Sequence, residues 1–241
     1  MKRIDGRIFD ALRPVEIIPH VNKYAEGSCL IRCGDTHVLC TASVEERVPP
    51  HVPLGEGWVT AEYAMLPRAN RDRSPRDINK LKLSSRSAEI QRLIGRSLRA
   101  GIDLALLGER TITVDCDVLQ ADGGTRTASI TGGFVAMTLA CHKLLREGYL
   151  KQMPIQTLVA GVSAGIVEDE ALLDLNYLED STAMVDLNCV MTAEGELIEL
   201  QATGERRPFA ILEQQRLLRL CERGIYQLQK LQKEALEEAG R

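Results

Sequence analysis

The side chains of this sequence with the clearest chemical potential lie between Cys116 and Gly133. An alternating stretch ends in Asp122-Gly123-Gly124, and Thr125, Arg126, Thr127 and Ser129 follow. Read as strand, tight turn and helix start, that order aims free backbone N–H groups, hydroxyls and a guanidinium at one point. An oxyanion such as phosphate requires that combination. The glycines let the backbone approach a ligand, and Arg126 can grip phosphate oxygens through a bidentate fork. Gly124, Thr125 and Arg126 are therefore candidate phosphate residues, with Ser129 an additional donor one helical turn along.

Asp180 and Asp186 form a second constellation. Asp186, Asn188 and Val190 alternate with Leu187, Cys189 and Met191, so Asp186 points from one face of a strand. Asp180 precedes it in a polar turn. Two hard carboxylates near a phosphate site would suit Mg²⁺ (or Mn²⁺), which prefers oxygen ligands and keeps several waters. On the residues alone a second reading stands beside this one: Asp180 as a turn cap and Asp186 as a surface carboxylate. A third group lies between Arg68 and Arg86, where basic residues crowd and only Asp72 and Asp77 oppose them. Arg68, Arg73 and Arg76, close to Pro75, could grip successive phosphates of a nucleic-acid chain. No aromatic residue is interleaved with them, so base stacking by this loop is not expected.

Positioning these groups requires regular elements, and hydrophobic periodicity predicts them. Strands are expected at about 14–21, 28–34, 37–45 and 57–66, with Gly34-Asp35 as a hairpin turn. An exposed loop covers about 67–83. Ile90, Leu93, Ile94 and Leu98 then mark one face of a helix over about 86–105. A strand at about 109–119 enters the glycine turn, and a helix over about 126–147 leaves it. Strands near 156–167, 170–177, 184–193 and 196–203 precede a final helix at about 209–238, interrupted at Gly224. This order reads as an α+β, or mixed α/β, fold.

Composition narrows the function class. With 44% hydrophobic and 27% charged residues the sequence is that of an ordinary globular protein. No uncharged apolar stretch approaches the roughly 20 residues of a membrane span, and the first residues lack the apolar segment of a secretory signal. A cytoplasmic protein with no membrane partner is expected. The seven cysteines are odd in number and show no CxxC spacing, which disfavours a disulfide framework or a zinc site. Cys29, Cys33 and Cys40 read as small core residues. The four histidines show no ligand spacing. There is no Ser/His or Cys/His arrangement for covalent catalysis, and no GxxxxGK[ST] run for a nucleotide kinase.

The sequence also resembles the ribonuclease PH family, bacterial phosphorolytic exoribonucleases that trim the 3′ ends of tRNA precursors. The matching motifs span nearly the whole chain. They include Asp5-Gly6-Arg7, Leu12-Arg13-Pro14-Val15, Gly57-Trp58-Val59-Thr60-Ala61-Glu62-Tyr63, Met65-Leu66-Pro67-Arg68, the Glu89 to Arg99 segment, the glycine turn, Asp180-Ser181 through Asp186, and Pro208-Phe209. The resemblance implies a single compact domain over residues 1–241. It would contain two similar βαβ-type halves, about 10–145 and 155–225, and a C-terminal helix reaching 238. It implies that Arg86 joins Gly124, Thr125 and Arg126 in binding inorganic phosphate, the co-substrate. Asp180 and Asp186 would bind metal and act in catalysis together with Arg126, while Arg68, Arg73 and Arg76 would bind RNA. The implied reaction is reversible phosphorolysis of RNA to nucleoside diphosphates by a homohexameric ring of dimers. Its substrates would be tRNA precursors, with ribosomal RNA a second class.

Two departures from the family pattern bear on the site. Ser85 stands where a glycine usually precedes the arginine, and Ala202, Arg206 and Arg207 alter the segment after Gln201. The alternative reading is a catalytically silent, RNA-binding ring subunit. Such a protein would be expected to lose the phosphate arginine or the metal aspartates, and this sequence retains them.

Overall fold

The computed structural model describes residues 3–76 and 84–240. Asp77, Lys80 and Lys82 of the basic segment lie outside the described residues. The first half forms a five-stranded sheet from β1 (Val15–Pro19), β2 (Gly27–Cys33), β3 (Thr36–Glu45), β4 (Trp58–Met65) and β5 (Thr111–Gln120), in the order β1-β2-β3-β5-β4. The expected turn at Gly34-Asp35 closes β2 onto β3, with Cys33 opposite Thr36. Strands β4 and β5 run parallel. The chain between them forms α1 (Ser85–Arg99) and a short α2 (Leu104–Leu107), in place of the single helix expected over 86–105.

Beyond β5 the chain enters α3 (Thr125–Arg146), and the second half follows. Its strands are β6 (Val159–Val167), β7 (Glu170–Leu173), β8 (Val185–Thr192) and β9 (Leu197–Gly204), in the order β7-β6-β8-β9. A short α4 (Tyr177–Asp180) links β7 to β8, and α5 (Ile211–Ala239) closes the chain. The mixed α/β architecture expected from the sequence is present. The βαβ unit belongs to the first half: all pairings in the second sheet are antiparallel. The two halves are alike in that each is a sheet carrying a long helix.

Helices α1 and α3 lie between the two sheets, and α5 covers the other face of the second sheet. Composition alone would let α3 cross a membrane, but a helix that is apolar all round is also what a site between two sheets demands. Every cysteine is buried, as small core residues would be. Gly224 does not interrupt α5. A methyl group there would meet the Leu173 side chain at 3.0 Å, so the glycine lets the helix lie close on β7.

One buried ion-pair network pins the two halves together. The Arg13 guanidinium donates to both Asp174 carboxylate oxygens, Nε at 3.0 Å and Nη2 at 2.6 Å, and the Arg13 backbone N–H adds a bond of 2.8 Å. The same guanidinium donates to the carbonyls of Asp122 and Gly123 in the glycine turn. Arg3 grips Glu179 through Nε and Nη2 and donates to the Leu173 and Asp174 carbonyls. Asp174 is held at φ 53°, a left-handed conformation that aspartate tolerates better than most residues. Burial alone would raise its pKa, but the charge and hydrogen bonds of Arg13, with help from Arg7, outweigh that and hold it below 3.8.

Because the folded value lies below the unfolded one, this carboxylate stabilises the protein above pH 4. The contribution fades as pH falls through the folded value. Asp174→Asn leaves the buried Arg13 without its counter-charge, so the variant should lose about 3–5 kcal/mol of unfolding free energy. Urea unfolding at pH 7 checks this, and a midpoint equal to the parent's would refute it.

Candidate active site

A cleft of roughly 680 Å³ opens where the two halves meet. It is built around the glycine turn. Thr36 Oγ accepts from the Asp122 N–H at 2.9 Å and donates to the Gly123 carbonyl at 2.7 Å. On the other side Asp122 Oδ1 accepts from the Tyr177 N–H at 3.3 Å. Gly123, at φ 80°, lies so near the chain before α4 that a methyl group would fall 2.5 Å from the Leu175 carbonyl oxygen. Gly124 follows at φ 65° as the N-cap of α3, and no side chain caps that helix. The first-turn amides are therefore left for an anion, at the positive end of a 22-residue helix.

Gly124, Thr125 and Arg126 all line the cleft, and Arg86 joins them from the first turn of α1. The Tyr63 hydroxyl fixes Thr125 Oγ at 2.9 Å. Arg126 Nη1 donates to Gln201 Oε1 at 2.9 Å, with Glu89 at 3.6 Å. Ser85 is not among the residues at positive φ, and it occupies an ordinary helical position behind the Ser84 N-cap. The backbone conformation at Ser85 therefore does not itself require a glycine.

Ser129 is a correction. It is fully buried outside the cleft, and its hydroxyl donates to the Thr125 carbonyl at 2.8 Å. A serine one turn into a helix bonds back to its own backbone more readily than it reaches the helix end.

The second half supplies the carboxylates. Asp180 is the last residue of α4, a helix fastened by an Asn176–Glu179 capping box, so it sits on a fixed element where a polar turn was expected. Asp186 projects from β8 on the face expected from its alternation, beside Asn188, whose amide donates to Asp186 Oδ2 at 2.9 Å. Burial raises both aspartates. The Asp180 charge pushes Asp186 further, to about 6, while Arg126 and Asn188 pull it back. Arg86 and Arg126 act on Asp180 in the same opposing sense, and Glu205 raises both. Among the described residues no three His, Cys, Asp or Glu side chains form a group that could hold a metal. Two aspartates remain as candidate ligands, a set that leaves water in most positions around a cation such as Mg²⁺.

The basic loop is separate from this chemistry. Arg68, Arg73 and Arg76 are exposed and none lines the cleft, although Met65 and Asn70 from the same stretch do. Ala202 faces the core beneath the second sheet, so its replacement of glycine does not touch the cleft wall. Arg206 does line the cleft and donates to the Ser181 carbonyl at 3.0 Å. Arg207 is turned away, paired with Glu213 at 2.7 Å.

Sequence reasoning missed Ser163, Asn188, Tyr177 and Glu205, all of which line the cleft. Asn188 carried a signal, since it lies two residues from Asp186 on the same strand face. Ser163 carried a weaker one, as the single hydroxyl in the otherwise apolar strand Val159–Val167.

Comparison with known proteins agrees with this fold. Residues 11–142 match domain 1 of the 3′ exoribonuclease family of ribonuclease PH type, and residues 157–225 match its domain 2. The structure is similar to the Archaeoglobus fulgidus exosome with RNA bound to the active site, at 25% identity and a TM-score of 0.82, over 95% of this chain and 92% of that one. It is similar to an archaeal exosome core at 26% identity and a TM-score of 0.78, over 96% and 91% of the two chains. Rice (Oryza sativa) Rrp46 shares the fold at 17% identity and a TM-score of 0.80, over 97% and 100%. Both domain models match in order, and between them they include the glycine turn, Asp180 and Asp186. The chain belongs to the 3′ exoribonuclease family of ribonuclease PH type.

Proposed function

We propose that this protein is an active phosphorolytic 3′-to-5′ exoribonuclease that trims the 3′ ends of tRNA precursors, with ribosomal RNA as a second class of substrate. The observation that carries this reading is the convergence in one cleft of Arg86, Arg126 and the uncapped start of α3 with Asp180 and Asp186. A silent ring subunit would have no use for both sets. The assembly that fits the family is a homohexameric ring of dimers in the cytoplasm. There the exposed Arg68, Arg73 and Arg76 would guide the RNA backbone toward the cleft.

In this mechanism inorganic phosphate is held by Arg126, Arg86 and the first amides of α3. One of its oxygens attacks the phosphorus of the terminal phosphodiester. The 3′ oxygen of the penultimate nucleotide leaves, and the terminal nucleotide departs as a diphosphate. The protein contributes position and fixed charge, which are the main requirements of phosphoryl transfer. Gln201 orients Arg126, and Tyr63 orients Thr125. Asp180 or Asp186 handles the proton of the attacking phosphate or of the leaving oxygen. The pair also fits a divalent cation, because two carboxylates that burial and neighbouring negative charge raise are relieved by a shared positive charge. Mg²⁺ or Mn²⁺ held there would offset charge on the scissile phosphate. One phosphate linkage replaces another, so the reaction runs in both directions.

The first test is degradation of a tRNA-like RNA with an extended 3′ tail, with Mg²⁺, with and without phosphate. Phosphate-dependent release of nucleoside diphosphates is expected. Monophosphates released regardless of phosphate would mean hydrolysis, and RNA binding without cleavage would mean a silent subunit. Arg126→Ala should lower phosphate-dependent turnover a hundredfold or more, about 3–4 kcal/mol, while the protein stays folded. Asp186→Asn should also abolish turnover but stabilise the metal-free protein. A folded pKa of about 6 against an unfolded 3.8 costs the parent about 3 kcal/mol at neutral pH. A melting temperature of the metal-free variant below the parent's would contradict that electrostatic account.

A further inference from the structure

Ser163 combines properties that the machinery described so far does not use. It lies on β6, opposite Asn188 of β8, and lines the cleft. It is only 4% exposed, yet its hydroxyl has no hydrogen-bond partner in the protein. Its backbone is fixed, since the Ser163 carbonyl accepts from the Asp174 N–H at 2.7 Å within the ion-pair region. Its hydroxyl faces the phosphate turn: a methyl group built on Gly124 would lie 3.8 Å from Ser163 Oγ.

An unpartnered buried hydroxyl costs stability, and a serine in a strand whose other residues are apolar or small has no packing reason to carry one. The neighbouring hydroxyls are already engaged. Thr125 Oγ bonds Tyr63, and Thr127 Oγ donates to the Gly124 carbonyl at 3.0 Å. Ser163 Oγ is thus a donor held beside the start of α3 from the opposite sheet.

We infer that Ser163 donates a hydrogen bond to the inorganic phosphate held at the start of α3, the role that sequence spacing had suggested for Ser129. The inference rests on the phosphorolytic reading and deepens it, because it makes the phosphate pocket a joint product of both halves. Arg86, Arg126 and the α3 amides hold the anion from the first half. Ser163 closes on it from the second, where the carboxylates also lie.

The test compares Ser163→Ala with the parent in three measurements. These are the melting temperature without ligand, binding of inorganic phosphate by calorimetry without RNA, and phosphorolysis at varied phosphate and at varied RNA. The expected result is an unchanged or higher melting temperature, because no protein hydrogen bond is lost. Phosphate Kd and the KM for phosphate should rise roughly tenfold or more, the usual effect of losing a hydrogen bond to a charged group. The KM for RNA should be unaltered. Phosphate binding equal to the parent's would overturn the inference and leave the phosphorolytic reading standing. So would a change confined to the KM for RNA, which would place the contact on the RNA phosphodiester. A lower melting temperature with unchanged phosphate Kd would mean a structural role only. If the parent itself binds no phosphate and its cleavage is indifferent to it, the phosphorolytic reading fails and this inference fails with it.

Discussion

Everything in the cleft depends on the buried pairing of Arg13 with Asp174. Arg13 enters from the segment before β1, Asp174 from the end of β7, and the same guanidinium holds the carbonyls of Asp122 and Gly123. Three segments distant in sequence are therefore set in one register. Burying such charges costs desolvation that an apolar contact would avoid, so the network is a poor source of net stability. What it provides is geometry. The turn that presents the α3 amides and the helix that presents Asp180 are fastened to the same few atoms, with Arg3 and Glu179 extending the clamp.

The clamp also sets two unlike charge fields face to face. The first half brings arginines and a helix N-terminus. The second brings Asp180, Asp186 and Glu205, with Arg206 as a single cation beside them. Each field moderates the other: Arg126 pulls down both aspartates and Arg86 pulls down Asp180, against burial and the negative charge of Glu205, to which Asp180 adds at Asp186. The aspartates still end above their ordinary range. A protein shaped for stability alone would not bury repelling carboxylates, and such strain is characteristic of functional sites. The cleft thus stores an electrostatic imbalance that substrate phosphates and a divalent cation would relieve together.

Most of this was legible in the sequence, for physical reasons that also mark where legibility ended. Period-two and helical patterns located the long strands and helices, because those patterns arise from burial on one face. The glycine turn was readable because helix start, glycines and arginine are contiguous, so chain geometry alone brings them together. Ser129 and Ser163 mark the boundary. Ser129 is near the turn in sequence but one helical turn inside the core, whereas Ser163 reaches the turn only through the packing of β6 against α3. Gly224 misled in the same way, because close approach to Leu173 is a tertiary demand invisible in local sequence. The antiparallel pairing of the second sheet was hidden too, since buried strands in parallel and antiparallel sheets carry similar apolar runs.

The distribution of hydroxyls and bases constrains the chemistry further. Among the described residues no histidine or cysteine lines the cleft, and every cysteine is buried. Thr125 is tied to Tyr63, and Ser181 donates to the Leu178 carbonyl at 3.0 Å. Ser163 has no protein partner, and thus no base hydrogen-bonded to it that could strip its proton. A site with fixed positive groups, two raised carboxylates and no activated side-chain nucleophile is equipped to hold an attacking group rather than to be one. On the proposed phosphorolytic reading, the nucleophile arrives as inorganic phosphate. A pocket whose first-half wall is built from arginines and helix amides favours a charged oxyanion over neutral water in that position.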